Sequence, residues 1–129
     1  MGLDNSIEVK RNEYTDTLPE LQRFNVEWDT KYEFEICYWR KCWNIRNDII
    51  SILGNRWNDN FETPLTSEDI DKIIVALKSL NAKNWYNHGS SIWEWDEYDD
   101  HIKCDIKKLK QLRKLMKKYD LEVVFIDSY

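Results

Sequence analysis

Apolar positions along the chain change period several times, and each change marks an element. Residues 3–10 alternate, with Leu3, Ile7 and Val9 apolar and Ser6 and Glu8 between them, which predicts a strand with one buried face. Residues 12–30 are polar and irregular; Phe24, Val26 and Trp28 alternate at their end and suit a second short strand or a packed loop. From Tyr32 to Leu53 the spacing reads as helix, stopped at Gly54. On that helix Tyr38, Cys42, Ile45, Ile49 and Ile52 share one stripe, with Trp39, Trp43, Arg46 and Ile50 on the adjoining flank.

Residues 55–65 form a connection with a short strand near Phe61. Thr66, followed by Glu68 and Asp69, predicts an N-cap for a helix carrying Ile70, Ile73, Ile74, Leu77 and Leu80. A third helix is expected from Asp100 to Tyr119, with Ile102, Ile106, Leu109, Leu112 and Met116 as its stripe. Leu121 to Ile126 closes the chain as a strand. The sum is an α+β fold in one compact domain spanning residues 1–129, three helices against a small sheet formed by the N- and C-terminal segments. The apolar arc of the first helix is wider than one sheet face needs, so a homodimer is an expected use of the excess.

Composition adds to this picture at two points. The net charge is −5 and the chain has seven tryptophans among 129 residues. An acidic balance disfavours general nucleic-acid binding, which depends on neutralising phosphates, and suits a partner with a basic surface. The abundance of indoles asks whether they fill the core or meet a partner. Cys37, Cys42 and Cys104, an odd number without paired spacing, read as reduced intracellular thiols, and neither a zinc pattern nor a cofactor motif is present. The first residues do not read as a signal peptide and no apolar run reaches membrane-spanning length, so a cytoplasmic protein without membrane contact is expected.

Three groups of residues carry candidate chemistry. Trp39, Trp43 and Arg46, with Arg40, would make a stacking platform for a nucleotide-type small ligand, or would pack as a helical aromatic stripe covered by the Arg46 stem. Asp4 and Arg40 would form a strand–helix ion pair, or a polar pocket in which Arg40 binds an anion and Asp4 orients it. Trp93, Glu94, Trp95, Asp96, Glu97, Tyr98 and Asp99, in a stretch read as a loop before the third helix, would form an acidic, aromatic surface for a basic protein, hold a hard cation such as magnesium, or cap the core. His88 or His101 near Asp99 would be the general base if the protein were an enzyme; no nucleophile motif or phosphate loop is present, so no catalytic residue is assigned.

The segments Met1-Gly2-Leu3-Asp4, Tyr38-Trp39-Arg40-Lys41, and Tyr98-Asp99-Asp100 with Asp105-Ile106 together resemble a group of small phage and prophage proteins. Those relatives carry a phenylalanine-rich, glycine-containing run where this chain has Ser90 to Trp95 with Gly89 displaced, a departure that bears on ligand choice. The resemblance implies a phage or mobile-element accessory protein and brings no settled activity. The leading expectation is a binding protein acting inside a bacterium, an acidic inhibitor of a host defence nuclease. Sequestration of a nucleotide or signalling molecule, and metal-dependent catalysis, are the alternatives.

Overall fold

The computed structural model describes residues 3–24, 33–57, 61–86 and 93–128. The fold is α+β. Strand β1 (Asp4–Lys10) lies between β2 (Glu33–Arg40) and β4 (Val123–Ser128), and β3 (Glu62–Pro64) pairs the far edge of β4, giving an antiparallel sheet in the order β2-β1-β4-β3. The chain ends do form the sheet centre, and a strand falls next to Phe61 as its pattern predicts. One helical turn, α1 (Glu13–Asp16), leads from β1 into a 3-10 segment at Pro19–Phe24. The alternation at Val26 and Trp28 lies outside the described residues.

The expected helix from Tyr32 to Leu53 is two elements. Residues 33–40 are strand β2, and helix α2 runs only from Trp43 to Leu53. The Tyr-Trp-Arg-Lys segment is therefore a strand end and a corner. The register explains the misreading: Ile7 faces Cys37 and Glu8 faces Glu35, so Ile36 is an extra residue in β2. Phe34, Ile36, Cys37 and Trp39 are all buried, and a bulge that places two consecutive apolar residues inward turns period two into something close to helical spacing. Lys41 makes the corner with φ at 54°, its N–H donating to the Leu3 carbonyl at 2.7 Å. The wide apolar arc that favoured a homodimer is divided between two elements, with Tyr38 and Trp39 on β2 and Ile45, Ile49 and Leu53 on α2.

Helix α3 (Ser67–Lys78) is capped as predicted. The Asp69 N–H donates to Thr66 Oγ1 at 3.2 Å, and the Thr66 N–H donates to Asp69 Oδ2 at 2.8 Å. Helix α4 (Trp95–Lys118) begins five residues before the expected start. Trp95, Tyr98 and Ile102 continue its inward stripe one turn further, and Asp96 and Glu97 in the first turn suit the helix dipole. α4 lies against α3 and β2, and α2 against α3. One contiguous core joins Ile7, Phe34, Trp39 and Phe125 of the sheet to Ile45, Ile49, Ile73, Leu109 and Leu112 of the helices. Among the described residues no helix is long and apolar enough to cross a membrane.

Two ion pairs fix this arrangement. Arg56 reaches both oxygens of Asp69, at 2.8 and 2.5 Å, and Arg46 reaches both oxygens of Asp127, at 2.8 and 2.9 Å. Burial alone raises the Asp69 pKa, but hydrogen bonds from Arg56 and Thr66 outweigh it and hold the carboxyl below its ordinary value. A depressed carboxyl contributes stability above its ordinary pKa and loses it as pH falls through the folded value. Acid unfolding of wild type and Asp69→Asn should therefore converge at low pH and separate at neutral pH, with wild type the more stable; parallel curves throughout would contradict the assignment.

Candidate functional site

Two of the three groups named from the sequence converge at one place. The end of β2 and the first turns of α4 enclose a cleft of about 330 Å³ lined by Tyr38, Arg40, Trp93, Glu97, Tyr98 and His101. The walls are held together by the backbone as well as by packing. Trp93 Nε1–H donates to the Arg40 carbonyl at 2.9 Å, which ties the segment before α4 to the corner after β2. Trp85, wholly buried, donates its indole N–H to the Trp93 carbonyl at 2.7 Å, and Asn44 at the start of α2 donates to the Trp85 carbonyl.

Aromatic rings then form a continuous bank. Trp85 lies 5.4 Å from both Trp95 and Tyr98, Trp93 stacks on Tyr98 at 6.0 Å, and Tyr98 stacks on His101 at 4.4 Å with 18° between planes. Tyr98 is buried, and burial, then Cys42 and Asp105, push its hydroxyl pKa far up. Tyr38, on the opposite wall, donates its hydroxyl to Asp4 Oδ1 at 2.5 Å. Burial and then the Asp4 carboxylate push the Tyr38 pKa up to about 12, so both phenols are neutral donors at physiological pH.

Beneath the cleft lies a buried carboxylate. Asp105 Oδ2 accepts the Trp39 indole N–H at 2.8 Å and meets His101 Nδ1 at 2.9 Å. The Asp105 side chain is 3% exposed and that of His101 44%. Burial, then the neighbouring Asp105, push the Cys37 thiol well up, so this cysteine is a packing residue rather than a nucleophile.

The remaining sequence candidates sort by where they sit. Trp39 is wholly buried, and the stacking platform expected of it is corrected: its ring is core and its N–H belongs to Asp105. Trp43 is partly exposed, with the Arg46 guanidinium 5.4 Å from its ring and 5.8 Å from that of Trp57. Since Asp127 takes both arms of Arg46, this pair braces the fold and lies apart from the cleft. Asp4 pairs with Tyr38 rather than forming the expected clasp with Arg40. Trp95 turns inward onto Trp85, while Glu94, Asp96 and Glu97 are exposed and Asp99 is half-buried. Among the described residues no three His, Cys, Asp or Glu side chains are placed to hold a metal ion. His88 and Gly89 to Ile92 lie outside the described residues.

Sequence reasoning paired His101 with Asp99; its partner is Asp105. The signal was available, since His101 and Asp105 are four apart on one helix and share a face. Tyr38 carries no local signal of a cleft residue, because the spacing of residues 32–53 reads as helix. A larger depression of about 440 Å³, lined by Asp71, Ile74, Val75, Lys110, Arg113 and Lys114, holds no aromatic ring and no histidine. No family model, curated protein or solved structure matches this chain.

The Trp39–Asp105 bond should be measurable in stability. Trp39→Phe keeps most of the ring but deprives a buried carboxylate of a donor, at a cost on the order of 1–3 kcal/mol. Chemical denaturation should show that loss, and a variant as stable as wild type would mean the bond contributes nothing.

Proposed function

We propose that this protein binds a small, flat, negatively charged molecule of the nucleotide type in the cleft between β2 and α4. The observation that carries the reading is the joining of an exposed arginine, Arg40, with the rings of Trp93, Tyr38 and Tyr98 in one cavity of ligand size. Planar rings receive a base by stacking, and a guanidinium recognises a phosphate or carboxylate. The neutral phenol of Tyr38 and the imidazole of His101 add polar contacts that orient the guest. The resemblance to phage and prophage proteins suits such sequestration as interference with a host system inside an infected bacterium.

Titration with a panel of nucleotides, followed by tryptophan fluorescence, tests this directly because Trp93 lines the cavity. Arg40→Ala should weaken binding about tenfold or more, the worth of a hydrogen bond to a charged group. The same variant should melt with wild type. An absence of any spectral change across the panel would eliminate the reading.

A second reading concerns the rim. Glu94, Asp96 and Glu97 are exposed, and the Asp100 side chain is 93% exposed, so successive turns present carboxylates to solvent. That charge field fits a basic protein surface, for example that of a defence nuclease. The aromatic side chains of the same stretch belong to the cleft and core, so this contact would be mainly electrostatic and sensitive to salt. Reversing Glu94, Asp96 and Asp100 to lysine should release a partner captured from host lysate. Undiminished capture by that variant would refute the rim reading.

A further inference from the structure

The His101–Asp105 pair has the geometry of an acid–base device, which binding alone does not require. We propose that His101 is a general base and that the cleft cleaves a short ribonucleotide phosphodiester by attack of the substrate's own 2′-hydroxyl. This rests on the nucleotide-binding reading above.

A carboxylate can only accept, so Asp105 fixes the proton of His101 on Nδ1 and leaves the lone pair on Nε2. Nδ1 meets the buried carboxylate, and the half-exposed imidazole itself lines the cleft. The Tyr98 ring, 4.4 Å away and nearly parallel, fixes the imidazole plane. Asp105 is itself held by the Trp39 N–H, so the base has an oriented partner and that partner has an anchor. Asp105 acts as a positioning residue.

The facing groups select the substrate. Trp93 and Tyr38 offer surfaces for a base, and Arg40 offers a fixed positive charge for a phosphate. In a ribonucleotide the 2′-oxygen already adjoins the phosphorus, so one base suffices to start the reaction. His101 Nε2 takes the 2′-hydroxyl proton, the O2′–P bond forms, and the P–O5′ bond breaks. The imidazolium returns the proton to the departing 5′-oxygen. The products are a 2′,3′-cyclic phosphate and a free 5′-hydroxyl, with no oxidant or further reactant consumed. Arg40 stabilises the charge gathered on the phosphorane oxygens. The carboxylates of Glu94, Asp96 and Asp100 on the turns that carry Glu97 oppose a long polyanion, which restricts the substrate to a few nucleotides.

The test uses the full chain with the complete set of ribodinucleoside monophosphates and their 2′-deoxy counterparts, following binding by fluorescence and products by chromatography. Wild type should convert at least one ribo substrate to the cyclic phosphate and leave its deoxy counterpart intact. His101→Gln should lower the rate at saturating substrate at least about a hundredfold, the usual worth of a general base, over and above any loss of affinity. Imidazole added to His101→Ala should restore part of the rate, which a purely structural role would not allow. Binding without cleavage would overturn this inference and leave the proposed function standing. Failure of both would remove both, and cleavage indifferent to His101→Gln would assign the activity elsewhere.

Discussion

A single buried carboxylate organises the end of the molecule that carries the cleft. Asp105, in the middle of α4, has no arginine or lysine among the described residues within hydrogen-bonding distance and is satisfied by the Trp39 indole from β2 and the His101 ring from its own helix. An unsatisfied carboxylate in that position would be very costly, so its two donors are held closely. Because Trp39 sits on the edge strand, satisfying Asp105 sets how α4 lies on β2. That register brings Tyr38 and Arg40, the neighbours of Trp39, to the same cavity as Trp93 and Tyr98.

The corner after β2 completes the arrangement. Lys41 turns the chain with a positive φ, the Arg40 carbonyl accepts from Trp93, and Cys42 begins the path into α2. Without that turn, Arg40 would continue along the sheet edge and the segment before α4 would lose its anchor. The indoles divide accordingly between structure and site. Trp39 and Trp85 are wholly internal, each spending its N–H on a partner that shapes the cleft, whereas Trp93 presents a wall to it.

Helix α3 and the two terminal strands were legible because their signals are local: alternation over Leu3 to Val9, a threonine cap with Asp69 three residues on, and isoleucines at helical spacing. Residues 33–40 were not, since the bulge at Ile36 breaks the alternation by which a strand is recognised, and the true helix that follows extends the false period. The start of α4 precedes its apparent sequence boundary because an acidic, aromatic stretch reads as a loop, although acids in a first turn are a helix signal too. Both groups that meet in the cleft were visible as chemistry in the sequence. Their meeting was not, because it depends on a contact between Trp39 and Asp105, 66 residues apart.

The choice of partners for the buried aspartates separates scaffold from site. Asp69, Asp127 and Asp105 are all buried. The first two receive both arms of an arginine, Arg56 and Arg46, an arrangement that is permanently charged and geometrically closed. Asp105 receives instead a neutral indole and an imidazole, although a guanidinium would compensate its charge more fully. An imidazole differs from a guanidinium in one relevant respect: with one nitrogen engaged as a donor, the other keeps a lone pair that can take and return a proton. A histidine where only cohesion was needed would be the weaker solution. The arginine pairs stand apart from the cleft, and the histidine pair lies at its wall, which is the distribution expected if the third aspartate serves chemistry as well as cohesion.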